Sequence, residues 1–86
     1  MNFIKDPKYG NTINSEIFGC TFFLIPSYSQ KYKMTEYGLY TAPTFTDGNV
    51  DWDRQVSITK WNTDNLNKKQ HKEIIDCWQA LMKEVI

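Results

Sequence analysis

Ten residues, Glu16-Ile17-Phe18-Gly19-Cys20-Thr21-Phe22-Phe23-Leu24-Ile25, restrict most tightly what this chain can fold into. Apolar side chains occupy both alternating faces of the run. Phe18, Cys20, Phe22 and Leu24 fall on one face, and Ile17, Phe23 and Ile25 on the other. A strand with this pattern needs cover on both sides, so it lies centrally in a sheet or is pinned beneath a helix. Gly19 suggests a bulge or a close backbone approach, and Pro26 is read as the end of the strand.

The period changes after Asp64. Ile74, Trp78, Leu81 and Val85 recur at helical spacing, Ile75 and Met82 widen the stripe, and Lys72, Asp76, Gln79 and Lys83 take the opposite face. The pattern predicts an amphipathic helix over 64–86. Thr63 or Asp64 can cap its first turn, and Asn67 with Gln70 three residues later offers a competing start. Lys69–Glu73 and Lys72–Asp76 are four apart and can pair along the surface.

Between these segments, Asp47-Gly48-Asn49 is the strongest turn signal, because these residues tolerate the positive φ of tight hairpin turns. The arm before it, about 37–46, contains Pro43, which has no amide to donate and is expected at a sheet edge. The returning arm, Val50 to Trp61, alternates: Val50, Trp52, Val56 and Ile58 face the core, and Asp51, Asp53, Gln55, Ser57 and Thr59 face water. Residues 1–15, rich in Pro, Gly, Asn and Ser over 5–15, read as an irregular lead-in.

The expected fold is therefore α+β: a small antiparallel sheet of about three strands over 16–61, with a hairpin at Asp47-Gly48 and the C-terminal helix packed on it. The 86 residues make one domain, 1–86, which buries roughly 60–65% of its unfolded surface.

Charge narrows the function classes. Ten basic residues balance ten acidic ones, with no segment dominated by one sign, and nine of the ten cations are Lys, leaving Arg54 alone. A neutral chain short of the bidentate guanidinium is poorly suited to direct nucleic-acid binding. The first residues hold no apolar leader, and no apolar run reaches the ~18 residues of a membrane span, so a cytoplasmic location is expected. Cys20 and Cys77 are too few for a disulfide framework and are expected to be reduced and buried.

Catalytic signatures are sparse. His71 is the single histidine, so no two-His zinc site can form, and no motif frames a Cys20–His71 nucleophile pair. Asp47, Asn49, Asp51 and Asp53 imitate the alternating ligands of a calcium loop. Trp52 and Ile58, however, stand where its glycine and bidentate glutamate belong. No phosphate-binding loop is present, and neither a cofactor, a metal nor an enzymatic activity is expected.

The clearest functional feature is Ser27 to Tyr40, which holds four of the five tyrosines. Tyr28 and Tyr32, with Lys31 and Lys33, fall in a polar loop, and Tyr37 and Tyr40 fall on opposite faces of the proposed edge strand. Tyrosine gives large, stiff, amphipathic contacts at low rotamer cost, as protein-binding surfaces require. The same rings also pack with Trp52 or Trp61 in an aromatic-rich core. The expected binding residues are Tyr28, Lys31, Tyr32, Lys33, Tyr37 and Tyr40. The expected role is a non-catalytic module occupying a surface of a larger protein or nucleoprotein complex. Size, neutrality and composition suit a phage or mobile-element inhibitor of a host enzyme or defence complex, of the anti-restriction or anti-CRISPR type. A single-strand nucleic-acid platform built from the same Tyr and Lys residues is the first alternative, and a small enzyme without a linear motif the second. A homodimer, through the edge strand or through Ile75, Met82 and Ile86 on the helix flank, is the rival to binding in trans.

Overall fold

The computed structural model describes residues 2–58 and 64–85; Trp61, Thr63 and Ile86 lie outside them. Among these described residues, five strands form one antiparallel meander in the order β1-β2-β3-β4-β5: Ile4–Asp6, Gly10–Ser15, Cys20–Ser29, Met34–Pro43 and Val56–Ser57. One helix, α1, runs from Lys68 to Lys83 and packs across β2 and β3. The α+β architecture with a terminal helix is as expected, but the sheet has five strands rather than about three.

Both extra strands lie within residues 1–15, which are therefore not an irregular lead-in. Pro7 and Gly10 do not interrupt structure there; they shape a tight hairpin. The Asp6 carboxylate accepts from the Lys8 and Tyr9 amides at 2.8 and 2.9 Å, closing the turn through its own side chain. Ile4 pairs with Thr12 and Asp6 with Gly10.

β3 is covered on both faces, as its sequence requires. Phe22 and Leu24 join Ile13, Leu39, Cys77 and Leu81 beneath α1. Phe23 points the opposite way into a second aromatic layer, its ring centroid 4.7 Å from Tyr9, 4.9 Å from Trp52 and 6.1 Å from Tyr40. Gly19 is neither a bulge nor a close approach. Its φ of 63° lets it close the β2–β3 turn, where its amide donates to Ser15 O at 2.8 Å.

Pro26 does not end the strand either. Pairing with β2 stops at Phe23–Thr12, whereas pairing with β4 continues through Pro26–Tyr37 to Ser29–Met34. Past Phe23 one side of β3 has no partner strand among the described residues, and a residue without an amide proton is tolerated there.

β4 is likewise not an edge strand. It pairs with β3 along its whole length and with β5 at Tyr40–Ser57 and Thr41–Val56. Pro43 fits because it is the last residue of the strand. The Asp47-Gly48 turn forms as expected: Gly48 N donates to Phe45 O at 3.0 Å, and Thr44 and Val50 bridge. The returning arm then leaves the sheet. A 3-10 turn at Trp52–Arg54 interrupts it, and the strand resumes only at Val56–Ser57. The indole explains the departure, since it packs against Phe23 and Tyr9 on the face away from α1. Val56, expected in the core, is 46% exposed.

The helix starts at the competing cap. Asn67 Oδ1 accepts from Gln70 N at 2.9 Å and Gln70 Oε1 accepts from Asn67 N at 3.0 Å, a complete capping box. Asn67→Ala should therefore cost about 1 kcal/mol in a denaturant melt. A change below the error of that melt would mean the cap is redundant with the packing of α1. Lys72 and Asp76 pair at 2.6 Å.

Candidate functional site: a projecting tyrosine hairpin

From Pro26 to Ser29 and from Met34 to Tyr37, β3 and β4 continue as a two-stranded ribbon among the described residues. Four residues per strand carry it roughly 13 Å beyond the sheet body. Gln30 to Lys33 close its tip. All residues from Pro26 to Glu36 are exposed except Ser29, which is half-buried.

The structure brings four of the six expected residues together at this end. Tyr28 is 57% exposed and Tyr32 60% exposed. Lys31 Nζ lies 5.2 Å from the Tyr32 ring centroid, and Tyr32 N donates to Ser29 Oγ at 3.2 Å within the turn. Lys33 adopts a φ of 53°, the left-handed region, and is the one non-glycine residue to do so among the described residues. An L side chain there costs roughly 1–2 kcal/mol relative to glycine. The loop is a four-residue hairpin connection ending in a left-handed residue, a geometry set by the strand twist.

Tyr37 and Tyr40 do not belong to the tip. They lie on opposite faces, as expected, but at the base of the ribbon and both half-buried. Tyr40 joins the aromatic layer through Phe23. Tyr37 faces α1 and, with Leu39, Ile58, Ile74, Ile75 and Trp78, lines an almost wholly apolar groove of about 290 Å³. Leu39, Ile58, Ile74 and Trp78 of this groove fall outside the expected binding residues, whereas Ile75 belongs to the helix flank named as the rival self-association surface. The excess width of the helical stripe is the available signal, because a helix whose main stripe already holds Ile74, Trp78 and Leu81 carries Ile75 and Met82 beside it.

The tyrosine stacked on Trp52 is Tyr9, outside the expected segment, with centroids 4.7 Å apart. Its hydroxyl donates to Gln55 Oε1 at 3.1 Å, tying the β1–β2 turn to the segment before β5.

The remaining candidates serve the fold. The Asp47 carboxylate accepts from the Asn49 amide at 3.0 Å and from its side chain at 3.1 Å, and Asp51 pairs with Arg54 at 3.3 Å. His71 is exposed on α1. Both cysteines are free thiols; Cys77 is buried as expected, whereas Cys20 is only half-buried. Thr41 Oγ1 donates to Cys20 Sγ at 2.9 Å, and Cys77 Sγ donates to Glu73 Oε1 at 3.5 Å.

Burial raises the Cys20 thiol above its ordinary range. Burial, reinforced by the nearby Glu73 carboxylate, pushes Cys77 from 9.0 to about 12. Neither is prepared as a nucleophile, since the thiolate is the reactive form. The Cys77 shift also sets a pH dependence. Below pH 9 the thiol is neutral in folded and unfolded chains alike. Between 9 and 12 the unfolded chain loses this proton while the folded one keeps it, so stability falls as pH rises through that window. The wild type should lose up to roughly 1.4 kcal/mol per pH unit more than Cys77→Ala across it. Parallel melting curves for the two proteins from pH 9 to 12 would remove this cause.

Among the described residues no cluster of three or more His, Cys, Asp or Glu side chains is arranged to hold a metal, and no helix is long and apolar enough to cross a membrane. No protein-family model matches the chain, and neither the curated proteins nor the solved structures compared with it give a match.

Proposed function

We propose that the chain is a non-catalytic binding module that places the β3–β4 hairpin tip on a larger protein or nucleoprotein partner and acts by occupying that surface. The observation that carries this reading is the tip itself: two tyrosines more than half exposed and flanked by two lysines. The core is complete without them. Interfaces draw their binding energy from a few such aromatic anchors. A two-stranded ribbon with a closed turn presents them in a nearly fixed geometry, which lowers the ordering cost of association.

The backbone at the tip supports the same reading. The other tight turns place glycine where φ is positive, at Gly10, Gly19 and Gly48, whereas this one uses Lys33. Strain kept at an exposed position points to a requirement for the side chain rather than for the turn.

A small neutral domain of this kind suits an inhibitor of a host enzyme or defence complex carried by a phage or mobile element, of the anti-restriction or anti-CRISPR type, acting in the host cytoplasm. The analogy rests on size and composition.

Capture of partners from a host lysate by the tagged chain, with and without nuclease, tests the proposal when run beside the Tyr28→Ala, Tyr32→Ala double variant. A stoichiometric protein that survives nuclease and is lost with the variant supports it. Recovery of nucleic acid alone, with the same dependence on the tyrosines, would transfer the site to a Tyr and Lys stacking platform. Equal capture by the variant would remove the tip from the interface.

A further inference from the structure

From Tyr40 toward the tip, β4 has an open side. Its pairing with β5 stops at Tyr40–Ser57, so from Met34 to Leu39 no strand lies along its outer edge among the described residues. On that outer side Pro43 O accepts from Asp51 N at 2.9 Å, and backbone orientation alternates along a strand. The amides and carbonyls of Leu39, Tyr37 and Thr35 therefore point outward as well. An unpaired row of this kind is a template for one more strand. The opposite edge of the ribbon is unsuited to the same use, because Pro26 stands in it without a donor.

The apolar groove runs beside the same edge. Leu39 and Tyr37 turn their side chains to the α1 face, Leu39 within the core cluster and Tyr37 packed against it. Directly opposed residues of paired strands share a face. An added strand would thus send the residues opposite Leu39 and Tyr37 into the groove of about 290 Å³, toward Ile58, Ile74, Ile75 and Trp78. Ile75, 53% exposed, is open to such a contact. The next residue, opposite Glu36, would lie on the other face. There the Glu36 carboxylate is exposed and has no ion pair among the described residues, so a cation is the complementary neighbour.

We propose that the free edge of β4 and the groove form one peptide-binding site, whose occupant is an extended segment of the partner protein added as an antiparallel strand. That segment is apolar opposite Leu39 and Tyr37 and basic opposite Glu36. Its main chain supplies affinity and its alternate side chains supply specificity. The inference rests on the reading of the chain as a protein-binding module and names what the partner presents to it.

The probe is the acetylated and amidated peptide Ser-Ile-Thr-Val-Lys-Thr, which sets Ile opposite Leu39, Val opposite Tyr37 and Lys opposite Glu36. Amide exchange of the intact chain is followed by NMR as the peptide is added. In the free chain the Thr35 and Tyr37 amides should exchange faster than those of Glu36 and Gly38, which point toward β3. The peptide should slow Thr35 and Tyr37. N-methylation of the peptide Val, whose amide pairs with Tyr37, should abolish binding, and N-methylation of the peptide Lys, whose amide points away, should leave it unchanged. Ile75→Asp should weaken binding roughly tenfold or more at an unchanged melting temperature, because that side chain is already exposed. Glu36→Lys should weaken it roughly threefold, and a peptide with Glu in place of Lys should restore it.

No slowing at millimolar peptide overturns the proposal. So does binding indifferent to N-methylation of the Val, or a free chain whose Thr35 and Tyr37 amides are already protected. Protection that grows with protein concentration in the absence of peptide would assign the edge to a second copy, and overturns it too. The Tyr28→Ala, Tyr32→Ala variant should bind the peptide normally. Failure of the tip in partner capture and failure of the edge in this titration are therefore separate results.

Discussion

Phe23→Ala is expected to destabilise the domain by about 3–5 kcal/mol, as much as Phe22→Ala, although Phe23 lies on the face of the sheet away from α1. Both rings are fully buried. Phe22 is packed beneath α1 with Ile13, Leu39 and Leu81. Phe23 is enclosed by Tyr9, Trp52 and Tyr40, so removing it opens a cavity and ends three ring contacts at once. A domain of this size has a total stability of roughly 5–15 kcal/mol, so either change brings it close to unfolding at ordinary temperatures. Urea melts of the two variants measure the difference. A cost below about 1.5 kcal/mol for Phe23→Ala would mean that the aromatic layer is a loose cover rather than a second core.

The Tyr28→Ala, Tyr32→Ala pair should behave in the opposite way. Each ring is more than half exposed, so the melting temperature should hardly move, since surface changes away from caps and core fall within about 0.5 kcal/mol. Affinity for the captured partner should fall by about 2 kcal/mol or more for the tyrosine nearest the centre of the interface, a loss of roughly thirtyfold. Lys31→Ala and Lys33→Ala should act mainly on association rate and on its salt dependence, as charges at an interface rim do. Titration calorimetry or biosensor kinetics on the partner separates these effects. Unchanged affinity with a lowered melting temperature would place the rings in the fold and not in the interface.

How much of this was legible in the sequence differs by element. The double-faced strand around Phe22 and Phe23 was legible because alternation is a property of the strand alone. Its continuation past Pro26 was not, because whether a proline is tolerated depends on which neighbour lies alongside. The hairpin of β1 and β2 was hidden because its strands are short and polar. Its turn is closed by the Asp6 carboxylate rather than by a recognised dipeptide. The start of α1 was legible as one of two alternatives, and the reciprocal bonds of Asn67 and Gln70 decided between them.

For the binding residues, the sequence singled out the tyrosine segment but could not divide it. Tyr28, Lys31, Tyr32 and Lys33 share a tip because β3 and β4 outrun both neighbouring strands. Tyr40 is drawn into the body because the register sets it opposite Phe23, and Tyr37 because it packs under α1 beside Ile74 and Trp78. By itself the sequence determined what local chemistry can determine: the class of each long element, the strongest turn, the neutrality of the surface, and a wealth of tyrosine in one segment. Only the tertiary structure decided strand number, strand order, and which aromatic rings are core and which are exposed. The physical reason is that period and turn propensity are local, whereas burial is settled by what the rest of the chain lays against each face.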